Sequence, residues 1–429
     1  MADDSGRAAA GPGRRRDQAA RSGRGDQREV LATIAADAGI RRIHVVAWRD
    51  LDDPEAGGSE LHADKVASLW AAAGLDVTFR TSAVPGAPEA LSRNGYRVLR
   101  RSGRYKVFPG AAWEGLRMGH RPGDALVEIW NGMPFLSPLW YRGPRVVFLH
   151  HVHAEMWGMV LPPTLARLGE TMERRVAPRF YRSSRIVTLS ESSRDEIVER
   201  LRLPRAHVTV APPGVDAIFT PGGHRSPTPL VVAVGRLVPV KRFDALLRAL
   251  AEAKKDHPAL EALVIGEGYE RPALEALRAE LGATHWLSLP GHARDEELVS
   301  WYRRAWVVAS SSQREGWGMT LTEAAACGTP AVATAIAGHT DAVFDGESGL
   351  LVEDVRDLAG ALGRVLGDEV LRSRLAKGAL ARARWFTWDA TARRALEALA
   401  DEALAQPARA RLNAPLSRRC APSWARRSG

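Results

Sequence analysis

The segment Arg314-Glu315-Gly316-Trp317-Gly318-Met319-Thr320-Leu321-Thr322-Glu323-Ala324-Ala325-Ala326-Cys327-Gly328-Thr329-Pro330 decides the fold. Before it, Val307 to Ala309 reads as a strand; after it, Gly328 and Pro330 stop a helix that begins near Met319. Between them, Gly316 and Gly318 allow the backbone to come close to a ligand. A strand that feeds a loop and then a helix aims free amides and the positive end of the helix dipole at a crevice. That is an anion site, suited to the diphosphate of a nucleotide sugar. Glu315 and Glu323 flank it. Two readings stand for them. Either the carboxylates accept hydrogen bonds from sugar and ribose hydroxyls, or Glu323 complements the dipole and Glu315 is solvated.

Outward from this segment the same alternation repeats. Leu230–Val234, Leu263–Ile265, Trp286–Leu289, Trp306–Ala309 and Ala331–Ala335 read as strands, and Phe243–Ala253, Arg271–Leu281, Glu296–Tyr302 and Leu321–Ala326 as helices. Towards the N-terminus, Ile43–Trp48 is a β-rich run followed by a loop that ends at Gly57-Gly58-Ser59. A helical pattern then starts with Ser59 as its cap, and Leu75–Phe79 returns to strand. Leu126–Trp130, Val146–His150 and Ile186–Leu189 continue the unit. The spacing predicts an α/β chain with two Rossmann-like, mostly parallel sheets. A Pro- and Gly-rich stretch separates them.

Composition bounds the rest. The 429 residues carry a net charge of +10, most of it at the ends: seven Arg against four Asp in residues 1–28, and six Arg with no acid in 407–429. The body is nearly neutral, which argues against nucleic acid as a partner. Only Cys327 and Cys420 are present, too few for a disulfide framework, so a reducing compartment is expected. The first residues lack the apolar core of a signal peptide, and no apolar run approaches the ~18 residues of a membrane span. The expected location is the cytoplasm. A peripheral contact at the inner face of the membrane is the secondary reading.

The motifs, taken in order, resemble those of the retaining family-four glycosyltransferases, also described as glycogen synthase or group 1-like. Gly57-Gly58, Ala211-Pro-Pro-Gly214-Val-Asp216, Val234-Gly235-Arg236-Leu237-Val-Pro-Val-Lys241, Ile265-Gly266-Glu-Gly268, Pro290-Gly291, the Glu315–Pro330 segment and Asp345-Gly346-Glu-Ser-Gly349 fall in sequence, so the resemblance spans residues ~43–400. It implies the GT-B fold: two Rossmann-like domains facing a central cleft, with a C-terminal helix crossing back to the first. The boundaries expected are a disordered basic tail over 1–38, an acceptor domain over 39–215, a linker over 216–228 and a donor domain over 229–385. A cross-over helix over 386–406 and a disordered Arg-rich tail over 407–429 complete the chain.

Site roles follow from the same resemblance. Arg236 and Lys241 are expected to stabilise the departing nucleoside diphosphate. Glu315 should contact donor-sugar hydroxyls and Glu323 the ribose, with amides of Gly316, Gly318, Met319 and Thr320 on the diphosphate. Gly57, Gly58, Gly235, Gly266 and Gly268 complete the donor set. His150, with His151 as the alternate register, is expected beside the donor sugar, and Asn131, His151 and His153 on the acceptor side. Neither a metal nor another cofactor is expected. The three close histidines lack an accompanying Cys or Asp cluster, and Asp50-Leu-Asp52-Asp53 reads as a solvated turn. Ala337-Gly338-His339-Thr340-Asp341 departs from the two glycines and Pro-Glu pair common in relatives.

The reaction implied moves a sugar from a nucleoside-diphosphate sugar to an acceptor hydroxyl on a glycolipid, polysaccharide or small metabolite. The rivals are a GT-B epimerase or phosphorylase, and a noncatalytic protein that binds anionic ligands. The basic stretch Arg93–Arg121 is either a membrane or anionic-acceptor contact or a solvated face.

Overall fold

Fourteen strands alternate with helices along residues 26–412, the part of the chain that this computed structural model describes. The first sheet holds β1 (Arg42–Val46), β2 (Asp76–Thr81), β3 (Ala90–Arg93), β4 (Tyr96–Arg100), β5 (Asp124–Ile129), β6 (Arg145–Phe148), β7 (Arg185–Thr188) and β8 (Val208–Val210). Their order is β3-β4-β2-β1-β5-β6-β7-β8, parallel throughout except for the β3–β4 hairpin. The second sheet holds β9 (Leu230–Val234), β10 (Glu261–Ile265), β11 (Leu287–Gly291), β12 (Val307–Ser310), β13 (Ala331–Thr334) and β14 (Gly349–Val352). It is all parallel, in the order β11-β10-β9-β12-β13-β14.

Parallel sheets covered on both faces require apolar residues on both sides of each strand. In β9, Val231 and Ala233 enter one core cluster while Leu230 and Val232 enter another on the opposite face. Helices supply the covering layers. Those used below are α1 (Gly58–Ala72) after β1, α2 (Glu191–Leu201) after β7, α3 (Phe243–Asp256) after β9, α4 (Met319–Ala326) after β12, and α5 (Trp388–Leu412). In α3 the buried residues Phe243, Leu246, Leu247, Leu250 and Ala253 form one apolar stripe, with Lys254 and Lys255 in the last turn.

Helix α5 crosses back to the first sheet. Its Ala392, Ala395, Leu396 and Leu399 share a core cluster with Ile43, Val45 and Phe148, and Trp70 Nε1 donates to the Ala392 carbonyl at 3.0 Å. The architecture is the GT-B arrangement. Strand order reverses at β1/β5 in the first sheet and at β9/β12 in the second. In open α/β sheets the crevice at such a reversal, beyond the carboxyl ends of the strands, is where ligands bind.

Several expectations change. Residues 26–37 are helical, with Leu31 and Ala35 buried in the first core, so the tail drawn over 1–38 ends earlier; residues 1–25 lie outside the described residues. Helix α5 runs on to Leu412, which shortens the tail drawn from 407; residues 413–429, with Cys420, also lie outside. Gly57, not Ser59, occupies the cap position of α1. Asp50 is not solvated: it is 2% exposed and receives two hydrogen bonds from the buried Arg100, at 2.8 and 3.1 Å. The linker over 216–228 is irregular, yet Arg225 anchors it through Thr329 Oγ1 at 2.5 Å and the Ala305 carbonyl.

The docking of α5 rests on Gly214, where an added Cβ would stand 2.1 Å from the Trp388 amide nitrogen. Backbone cannot yield as a side-chain tip can. Gly214→Ala is therefore expected to lower Tm by at least about 5 °C. Gly360→Ala, in a helix with open space around the new methyl, should be neutral or stabilising by about 1 kcal/mol. Equal melting temperatures for the two variants by calorimetry would contradict this account.

Candidate active site at the carboxyl ends of the two sheets

The loops leaving β9 and β12, adjacent strands at the reversal, meet in one ion pair. Lys241, in a single helical turn over Pro239–Lys241, contacts Glu315 Oε1, which also accepts a hydrogen bond from Ser312 Oγ at 2.8 Å. Burial alone would raise the Glu315 carboxyl, but the Lys241 ammonium outweighs it, and the group is held down at about 2. Three residues on, Gly318 takes φ 112° as the cap of α4, a conformation that favours glycine. No side chain caps α4. Its first amides, at Met319 and Thr320, lack intrahelical acceptors and remain available to an anion.

Glu323, one turn further along α4, is the opposite case. Burial pushes its carboxyl up to about 8, against a hydrogen bond from Tyr302 Oη at 3.2 Å. One glutamate is thus ionised and the other neutral at pH 7.

Across the crevice stands the glycine turn before α1. A Cβ on Gly57 would lie 3.5 Å from Arg236 Nε, and one on Gly58 3.2 Å from Met319 Sδ. Arg236 Nη1 donates to the Glu55 carbonyl of the first domain at 3.2 Å. Arg236, Lys241, Glu315, Gly316, Gly318, Met319, Gly57 and Gly58 are therefore brought together. Gly266 and Gly268 have another duty: Cβ atoms there would stand 1.9 Å from the Gly235 carbonyl oxygen and 2.2 Å from that of Leu237. They let the loops after β9 and β10 pack backbone to backbone.

The three histidines diverge. His150 Nε2 lies 3.2 Å from Nδ1 of His62 on α1, and the His62 ring in turn lies 6.0 Å from that of Trp388 on α5. His151 and His153 stack with centroids 5.0 Å apart. The charges of Arg314, Glu315 and Lys241 act on His151, those of Arg314 and Arg49 on His153. Burial drives the imidazoles of His150, His151 and His153 down to about 3, 3 and 4, so all are neutral at pH 7. His150 Nδ1, His151 Nε2 and His153 Nδ1 are buried with no hydrogen-bond partner among the described residues. Asn131 Nδ2 donates to Ser59 Oγ on α1 at 3.2 Å, which puts it at the same edge.

Residues that the sequence left without a role clasp the two domains. Arg314 reaches Glu155 at 3.1 Å, the Val152 carbonyl at 3.1 Å, and Glu196. Asp341 accepts from the Glu191 amide at 2.9 Å and from Ser192 Oγ, so a carboxylate of the second domain caps α2 of the first. His339 sits buried beneath the α4 cap, with Nδ1 2.9 Å from the Thr334 carbonyl and Cδ2 3.0 Å from where a Gly318 Cβ would stand. Arg314 and Asp341 both flank quoted motifs, but nothing in their spacing identifies partners more than a hundred residues away.

Comparison with known proteins agrees with this geometry. Residues 56–219 match the family described as Glycosyltransferase Family 4, and residues 215–382 that described as Glycosyl transferases group 1. The D-inositol 3-phosphate glycosyltransferase of Acidothermus cellulolyticus is 32% identical over 84% of this chain and 91% of its own length. Among solved structures, sucrose-phosphate synthase from Thermosynechococcus elongatus has a TM-score of 0.70 at 22% identity, covering 82% of this chain and 96% of that one. Anabaena HepE, in complex with UDP-glucose, has a TM-score of 0.64 at 17% identity, covering 83% and 98%. Those two likenesses are of fold. The family matches cover both domains on either side of the cleft, and the chain belongs to the group 1, family 4 glycosyltransferases.

Proposed function

We propose that this protein transfers a sugar from a nucleoside-diphosphate sugar to an acceptor hydroxyl and retains the anomeric configuration. One observation carries the reading: the uncapped N-terminus of α4 stands between the Lys241–Glu315 pair and the glycine turn of the opposite domain. A diphosphate seated there meets helix amides, Lys241 and Arg236, groups that oppose negative charge as it grows on the leaving group. Solved structures of HepE hold UDP and UDP-glucose, which supports such a donor.

The proton inventory leaves Glu315 and the three histidines poor bases, and Glu323, which lies near the operating pH, is engaged by Tyr302 and assigned to the ribose. A general base works best with a pKa near the operating pH. Glu315, at about 2, and the three histidines, at about 3 to 4, lie far below it. Glu315 is instead a hydrogen-bond acceptor for donor-sugar hydroxyls, and His151 and His153 orient substrate. The acceptor proton then passes to an oxygen of the departing diphosphate on the face from which it leaves. Neutral Glu323 can both donate to and accept from a ribose diol. The acceptor is a hydroxyl of a glycolipid, a polysaccharide end or a small metabolite, the last resembling the inositol phosphate named for the relatives.

Calorimetry against UDP, GDP and ADP without added metal should show selective binding of one nucleotide. Arg236→Ala and Glu315→Ala should each weaken it or the matching sugar nucleotide about tenfold or more, and Lys241→Ala should cut kcat by about 100-fold or more. The anomeric configuration of the product, read by NMR, decides retention. Well-folded protein that binds none of the nucleotides would remove the basis for the reading.

Glu323 generates a pH test. Its folded pKa of about 8 exceeds the ordinary carboxyl value of 4.5, so between these values the folded state holds a proton that the unfolded state has released. Stability conferred at low pH is therefore lost as pH rises from 4.5 towards about 8, then stays level. Glu323→Gln should flatten that part of the Tm profile and exceed the parent at pH 8 by on the order of several degrees. Parallel profiles for parent and variant would show that the carboxyl is ionised in the fold.

A further inference from the structure

We propose that the surface over residues 105–118 docks on an anionic lipid bilayer and seats the first domain's side of the cleft at the membrane surface. The helix Val107–Met118 buries one stripe, Val107, Ala111 and Gly115, and Trp140 packs so closely that a Cβ on Gly115 would stand 2.4 Å from its ring. A helix at a protein surface ordinarily turns charge to solvent on the other face. Here Trp113, Leu116 and Met118 are 62%, 58% and 55% exposed, and Tyr105, just before the helix, 76%.

Cations surround these apolar groups. Residues 101–121 hold Arg101, Arg104, Lys106, Arg117 and Arg121 against one acid, Glu114, which is engaged by Arg80 and Arg101. Lys106, Arg117 and Arg121 form no ion pair among the described residues, and the Arg117 guanidinium lies 5.8 Å from the Trp113 ring centroid. Protein interfaces also favour Trp, Tyr, Met and Arg, so what points to a bilayer is the group of cations without carboxylate partners beside the apolar side chains. An interfacial membrane site wants this composition: Trp and Tyr at headgroup depth, apolar side chains below them, and Lys and Arg reaching out to anionic headgroups. No helix among the described residues is long and apolar enough to cross a membrane, so this contact is interfacial.

The surface adjoins the cleft. Trp48 Nε1 donates to the Arg104 carbonyl at 3.0 Å, and Arg104 Nη1 reaches Glu55 Oε1 at 3.1 Å. The carbonyl of that same Glu55 holds Arg236. Two contacts therefore lead from the apolar patch to the donor arginine. That the membrane also presents the acceptor rests on the transferase reading; the docking itself does not.

The test is co-sedimentation of the full chain with phosphatidylcholine vesicles, with and without about 30% phosphatidylglycerol. No donor or acceptor is present, so a failure here leaves the transferase reading untouched. The parent should bind the anionic vesicles selectively. The double variant Trp113→Ser/Leu116→Ser should lose at least about tenfold in partitioning with an unchanged Tm. Lys106→Ala/Arg117→Ala should lose about 25-fold, at about fivefold per cation near the surface. The Arg-rich termini are common to parent and variants, so their own affinity cancels. Parent-like binding by the Trp113/Leu116 variant overturns the proposal in favour of the termini. Equal binding to neutral vesicles, or a dimer in light scattering that this variant dissociates, overturns it as well.

Discussion

The Lys241–Glu315 ion pair holds the loops of two strands that are neighbours only because the second sheet reverses its order. Lys241 follows β9 and Glu315 follows β12, 74 positions apart in sequence. Partial burial disfavours either charge alone; together, with Ser312 also donating to Glu315, they offset it. The pair therefore fixes where Gly316 to Gly318 can lie, and with it the origin and direction of α4. The amides offered to an anion are placed by this contact together with the backbone packing of Gly316 and the hydrogen bond of Gln313 to the Val240 carbonyl.

From that point the coupling between domains follows. Gly316 packs so closely that a Cβ would stand 2.7 Å from the His150 carbonyl oxygen, and its own carbonyl accepts from Ser193 on α2. Arg314 on one flank and Asp341, in the short helix His339–Ala342 whose cap Gly338 packs against Trp317, grip the same helix α2 through Glu196 and its first-turn amides. The interdomain contact and the donor loop thus share groups: the first amides of α2 meet Asp341, while Ser190 of the first domain caps Ser193, and Ser193 meets the carbonyl of Gly316. Interdomain surfaces of this polar kind ordinarily permit relative motion, and a closing cleft excludes water from a reactive donor.

The parallel strands were legible because burial on both faces writes them as runs, as in Leu230-Val-Val-Ala-Val234 or Ala331-Val-Ala-Thr334. The β3–β4 hairpin was not, since Arg100 stands at a buried position of β4, paired with Asp50. A pattern that counts arginine as solvent-facing misses a charge neutralised inside. The helix over 26–37 was hidden by its Arg- and Gly-rich approach, though Leu31, Ala35 and Ile40 anchor it. Local motifs disclosed Gly57, Arg236, Lys241 and Glu315, which the structure brings together. They could not disclose which histidine turns to His62, which depends on how α1 packs on the first sheet, nor that Asp341 caps a helix 150 positions earlier, which depends on how two separately folded sheets meet.

Two helix N-termini border the cleft, and the difference between them gives it polarity. At α1 the Gly57 amide already donates to Glu60 Oε2 at 2.8 Å, and Arg49 Nε lies 3.4 Å from the other oxygen of that carboxylate. An internal anion, itself neutralised by a buried cation, occupies the positive end of that helix. At α4 no side chain does so, and the nearest carboxylate, Glu315, is committed to Lys241. The amide end of α1 is thus filled by its own Glu60, whereas the first amides of α4 have no side-chain acceptor. The open amides belong to the second domain, and Asn131, His151 and His153 stand at the edge of the first.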